Sequence, residues 1–67
     1  MESEELVSIL RKGNKIVKNC LVDKSRWKIE VYWDGILKER IYMNCIEARR
    51  VLDVLLALDF EASGEVF

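Results

Sequence analysis

The chain has 67 residues, 51% of them apolar and 34% charged, with a net charge of −1. That length allows one domain, of the size that buries only about 60% of its unfolded surface, and the composition is that of a globular chain rather than a disordered one. A balance so close to neutral excludes a generic polyanion binder, and the longest apolar run, residues 54–58, is far below the roughly 20 residues that cross a bilayer.

The acidic opening MESEEL lacks the order of a signal peptide, so a cytoplasmic location is expected. Cys20 and Cys45 are too few for a disulfide framework and, with no histidine in the chain, too few for a tetrahedral zinc site. Both read as buried small hydrophobes. There is no Ser-His or Cys-His pairing and no glycine-rich phosphate loop, which predicts a non-enzymatic protein without cofactor, metal or small-molecule substrate.

Ser3 followed by Glu4 and Glu5 reads as a helix start, and Arg11, Lys12 and Gly13 as its end. Leu6, Ile9 and Leu10, extended by Val7, share a side at helical spacing. Residues 15–23 read as a strand with apolar residues on both parities, so its buried side stays open, and DKSR at 23–26 reads as a tight hairpin.

In WKIEVYWDGILKER, residues 27–40, Trp27, Ile29, Val31 and Trp33 share one face of a strand, while Arg26, Lys28, Glu30 and Tyr32 take the other. Asp34-Gly35 suits a two-residue type I′ turn, but that register would set Val31 against Lys38 and Ile29 against Arg40. A longer loop is therefore expected, with Trp33 opposite Leu37, Ile29 opposite Ile41, Trp27 opposite Met43 and Glu30 opposite Arg40.

Asn44 with Glu47 three residues on forms a capping-box pattern and opens a helix to about Leu58. Its apolar residues, Ala48, Val51, Leu52, Val54, Leu55, Leu56 and Leu58, cover an arc of roughly 200°, about twice the minimum for a surface helix, so part of it needs a second cover. Residues 60–67 show no periodicity and read as a loose tail.

The expected fold is α+β, one domain over residues 1–67: a three-stranded antiparallel sheet with an N-terminal and a C-terminal helix on one face, in α-β-β-β-α order. That order, with WKIEVYWDGILKER followed by NCIEARRVLDVLLAL, resembles the double-stranded RNA-binding domain. The resemblance implies phosphate contacts from the start of the second helix, where Ala48 and Arg49 match the family signature and Cys45 and Ile46 replace lysines. It also implies a minor-groove role for the loop Lys24, Ser25 and Arg26. Strands followed by one apolar helix also resemble single-stranded DNA-binding transcriptional coactivators that dimerise through that helix, a pattern with no place for a first helix.

Two functions are expected from this reading. One is a small protein-binding adaptor or inhibitor, of the kind mobile elements often encode, with a protein partner or a second copy held through the helix at Val54 and Leu56 or through Tyr32 and Tyr42 of the hairpin. The other is a nucleic-acid-binding module using Lys24, Arg26, Lys28, Lys38, Arg40, Arg49 and Arg50, with cations interleaved with aromatic rings as on single-strand platforms. The plain alternative for the outer hairpin face is solvation. Cys45 in the first helical turn and the terminal EVF are lesser candidates, for a reactive thiol and a captured carboxylate.

Overall fold

The structure, a computed structural model, describes residues 4–63. Four strands run in sequence, β1 (Glu5–Lys12), β2 (Lys15–Leu21), β3 (Arg26–Trp33) and β4 (Ile36–Asn44), followed by helix α1 (Cys45–Ala57) and a short β5 (Glu61–Ser63). All strand pairs are antiparallel, in the order β4-β3-β2-β1-β5. This corrects the α-β-β-β-α expectation: the described residues form five strands and one helix, and the resemblance to the double-stranded RNA-binding domain falls with it.

The error lies in the first segment, where a helix was expected and β1 stands. Leu6, Ile9 and Leu10 fit a helical stripe, but in β1 the register shift at Val7 puts Leu6 and Ile9 on the open face and Leu10 on the helix side. Two to three turns of isolated helix have little stability of their own, whereas β1 gains a complete ladder against β2. Gly13, read as a helix terminator, is instead the first residue of the Gly13-Asn14 loop joining Lys12 to Lys15. Its φ of 60° is the one a type II′ hairpin requires there.

Directly opposed residues share a face, so the ladders sort the sheet into two sides. Leu10, Val17, Ile29 and Trp27 point to the helix side, where they pack with Ala48 and Leu52 as the core. The inner side of WKIEVYW is thus as expected, and Val17 settles the side of β2 that was open. Ser8 and Asn19 are also opposed on this side and fully buried, with Asn19 Nδ2 donating to Ser8 Oγ at 3.0 Å. Asn19 Oδ1 has no hydrogen-bond partner.

The β3–β4 hairpin resolves the Asp-Gly problem by another route than a long loop. Trp33 pairs with Ile36 across a two-residue turn in which Asp34 (φ 52°) and Gly35 (φ 81°) are both left-handed, as type I′ demands. The register then shifts by one residue at Lys38, a β-bulge, because Val31 faces Glu39 while Tyr32 faces Leu37. Beyond the bulge the expected pairs hold: Glu30 with Arg40, Ile29 with Ile41 and Trp27 with Met43.

Helix α1 begins as expected. Glu47 N–H donates to Asn44 Oδ1 at 2.8 Å and Asn44 N–H to Glu47 Oε1 at 3.4 Å, a complete capping box. It ends in a Schellman motif: Phe60 N–H donates to the Leu55 carbonyl and Asp59 N–H to that of Leu56, both at 3.1 Å, with Asp59 at a φ of 69°. Lys12 Nζ donates to the Leu58 carbonyl at 2.7 Å, tying the helix end to β1. The chain then turns back so that residues 61–63, expected as tail, pair with β1, and residues 64–67 lie outside the described part.

Candidate functional site

The face of the sheet away from α1 carries a polar network built on alternating residues of β3. Glu30, deeply buried for a carboxylate, accepts from Arg40 Nε at 2.9 Å and from the Tyr32 hydroxyl at 3.3 Å, with Lys28 Nζ 4.0 Å away. Burial pushes this carboxyl upward, but the Arg40 hydrogen bond, the Lys28 and Arg40 charges and the Tyr32 hydroxyl outweigh it and hold Glu30 below its ordinary range. Lys28 donates to Glu4, and that bond chiefly raises its pKa. Cys20, beside Lys28 across the β2–β3 ladder, is pushed up by burial.

Around this centre, cations lie over aromatic rings. Lys18 Nζ is 4.8 Å from the Tyr32 ring centroid and the Arg26 guanidinium is 5.3 Å from that of Tyr42. Register places Arg11, Lys18, Arg26, Lys28 and Arg40 on this face, against the carboxylates Glu4, Glu30 and Glu61. Five cations against three carboxylates leave it positive by two, in a chain whose total is −1.

The expected nucleic-acid set is therefore divided. Arg26, Lys28 and Arg40 come together with Tyr32 and Tyr42. Lys24 sits in the β2–β3 loop, where Asp23 accepts from the Ser25 N–H at 3.0 Å, the main cause of its lowered pKa. Lys38 is the bulged residue and lines a groove with Val31, Trp33 and Glu39, while Arg49 and Arg50 stand on α1, in the other layer. Lys18, which completes the open-face cluster, was missed because the buried parity of β2 could not be read from its sequence.

The second candidate surface is apolar. Ten large apolar side chains are exposed among the described residues, and five of them belong to one hairpin: Trp33, Ile36, Leu37, Ile41 and Tyr42. Ile36 is 59% exposed and Tyr42 51%. On α1 and its C-terminal cap the unmet 200° arc leaves Val54, Leu56 and Leu58 exposed, since β1 stands where the first helix was expected to cover them. Val54 and Leu56, expected as one contact, are two residues apart and so about 200° apart around the helix. Val54 shares an apolar groove with Arg50, Val51 and Leu55. Leu58 and Trp33 line a common groove with Phe60, and Lys15 Nζ caps the Trp33 ring at 4.6 Å.

Cys20 is buried as expected, but Cys45 is exposed at the start of α1, and the EVF segment lies outside the described residues. No cluster of three or more metal-ligating side chains occurs among the described residues, and none of their helices is long and apolar enough to cross a membrane. No protein-family model matches the chain, and no curated protein or solved structure is found similar to it.

Proposed function

We propose that the chain is a non-enzymatic protein-binding module, an adaptor or inhibitor, whose contact surface is the β3–β4 hairpin. One observation carries this reading: half of the exposed large apolar side chains gather on that hairpin, and on β4 they occupy both faces of a strand at the end of the sheet. Scattered exposed apolar residues are ordinary, but a contiguous set marks a contact region. Two cysteines without a disulfide fit a reducing compartment, and the proposal places the chain in the cytosol. Photo-crosslinking in the native cell tests it. A photoreactive residue at Ile36 or Tyr42 should capture protein, whereas one at Lys24 should not, and failure of both hairpin positions to capture any protein would refute the reading.

The open sheet face favours a second reading, a platform for single-stranded nucleic acid. Tyr32 and Tyr42 lie roughly 13 Å apart, four residues at about 3.3 Å each, and each carries a cation that can pass to a phosphate when a base takes the ring. Binding of single-stranded DNA across a salt series, compared with Tyr42→Ala and Arg40→Ala, tests it. Each neutralised phosphate should contribute a slope of about −0.7 in log K against log salt. The absence of binding at low salt would remove this reading.

A further inference from the structure

β4 closes one end of the sheet, and no described strand pairs with its outer side. Exposed edges of this length invite pairing with another chain unless charge, bulges or shortness blunt them. Here the blunting is confined to Lys38, Glu39 and Arg40, the bulge and three charges of a nine-residue strand, while Ile41 to Asn44 carries no charge and the ladder is regular from Glu39 to Asn44. Within that regular part Ile41 is exposed on the helix side and Tyr42 on the open face. An edge strand apolar on both faces suits a sheet that continues.

Resting on the protein-binding reading above, we infer that the occupant of this edge is a second copy of the chain, with the two β4 strands antiparallel and Ile41 opposite Ile41. A two-fold axis normal to the sheet keeps the faces aligned, so the register is named by the residue that meets itself. Centres at Lys38, Glu39 or Arg40 would each oppose two like charges, which is destabilising. A centre at Tyr42 would set Glu39 against Cys45 of the second copy, the first residue of its helix. The Ile41 centre opposes no like charges and pairs the regular residues Glu39 to Met43 strand to strand, so that only Leu37, beyond the bulge, falls opposite Cys45. It places Ile41 against Ile41 on the helix side and, twice on the open face, Arg40 against Tyr42. That repeats between copies the cation and ring pairing that Arg26 and Tyr42 make within one. Two five-stranded sheets then become one of ten strands, with both helices on the same side.

The test uses the full chain with Cys20→Ala and Cys45→Ala as background. Directly opposed residues have Cα atoms about 4.5–5.5 Å apart, within the 4.4–6.8 Å that a disulfide spans. Ile41→Cys should therefore give a covalent dimer under mild oxidation. Glu39→Cys lies on the same face but about 13 Å from its own counterpart in this register, and it should stay monomeric. Preferential crosslinking by Glu39→Cys or Tyr42→Cys would overturn the register. Sedimentation of the unsubstituted protein needs no variant: a strict monomer at the highest attainable concentration would overturn the second copy as occupant. That failure is distinct from failure of the protein-binding reading, because a monomer that still crosslinks another protein through Ile36 or Tyr42 loses only the second copy.

Discussion

Glu30 and Arg40 face each other across β3 and β4, and Arg40 Nε donates to Glu30 Oε2 at 2.9 Å with the carboxylate buried and the guanidinium half exposed. The bulge at Lys38 absorbs the one extra residue between the turn and this pair. Its carboxylate titrates below an unfolded glutamate, which has a pKa of about 4.3. The ionised form therefore stabilises the fold above that pH, and the contribution is lost as pH falls through the depressed folded value. Urea midpoints should decline on acidification below about pH 4.3. Glu30→Gln should flatten that decline while costing about 1–3 kcal/mol at neutral pH. A variant that keeps the wild-type acid slope would contradict this assignment. Lys28 acts at the alkaline end, since its raised pKa makes its contribution full below the unfolded value and lost as pH rises through the folded one.

Ser8 and Asn19 form a buried polar pair inside an otherwise apolar layer. Ser8→Ala removes the acceptor of Asn19 Nδ2 and leaves a second unsatisfied atom beside Asn19 Oδ1, at a cost of about 1–3 kcal/mol. Ser8→Ala combined with Asn19→Leu removes the polar groups together and should recover most of that loss. Chemical denaturation of the two variants measures the difference, and a double variant no more stable than Ser8→Ala alone would argue against the account.

Asp59 adopts a left-handed conformation at the C-terminal end of α1, where its charge also opposes the helix dipole. Asp59→Gly should stabilise the domain by about 0.5–1 kcal/mol by relieving both. The thermal midpoint should rise by a few degrees, as about 1 kcal/mol does in a domain of this size. At the other end of the helix, Asn44→Ala breaks the capping box and should cost about 1 kcal/mol.

Deleting Lys38 should leave every other cross-strand pair of the hairpin in place, because the bulge is one extra residue between Leu37 and Glu39. The edge then becomes regular along its whole length. Self-association should strengthen, seen as a lower dissociation constant in sedimentation, while the spectrum of the folded chain is kept. Loss of the Ile29–Ile41 contact in nuclear Overhauser data would show instead that the bulge sets the register.

Residues 26–33 and 44–57 were legible because each had one dominant signal, strict alternation in the first and a cap before an amphipathic run in the second. The hairpin was legible in its outcome and misread in its cause, since pairing the faces demands one extra residue and a bulge supplies it as well as a loop does. The first segment failed because the bulge at Val7 breaks the alternation, with Leu6 and Ile9 on one face of β1 and Leu10 on the other, and because Gly13 serves a helix end and a hairpin equally. That misreading supplied a phantom helix to cover apolar surface that α1 leaves exposed at Val54 and Leu56. Lys18 was missed for a separate reason, the apolar residues on both parities of β2.

The short β5 ladder, Ile9 with Ser63, Leu10 with Ala62 and Arg11 with Glu61, joins residues 50 to 54 positions apart, whereas the other ladders are hairpins between consecutive strands. Local hairpins close quickly, and distant contacts must wait for the chain between them to order. Folding should therefore proceed through the β1–β4 meander and α1, with β5 docking last as a clasp. Hydrogen exchange would register the same hierarchy in the native state, the β5 amides opening by local release at a free energy well below that of the β2 and β3 amides. The edge formed by β1 would then be bared transiently, for as long as the clasp is undone.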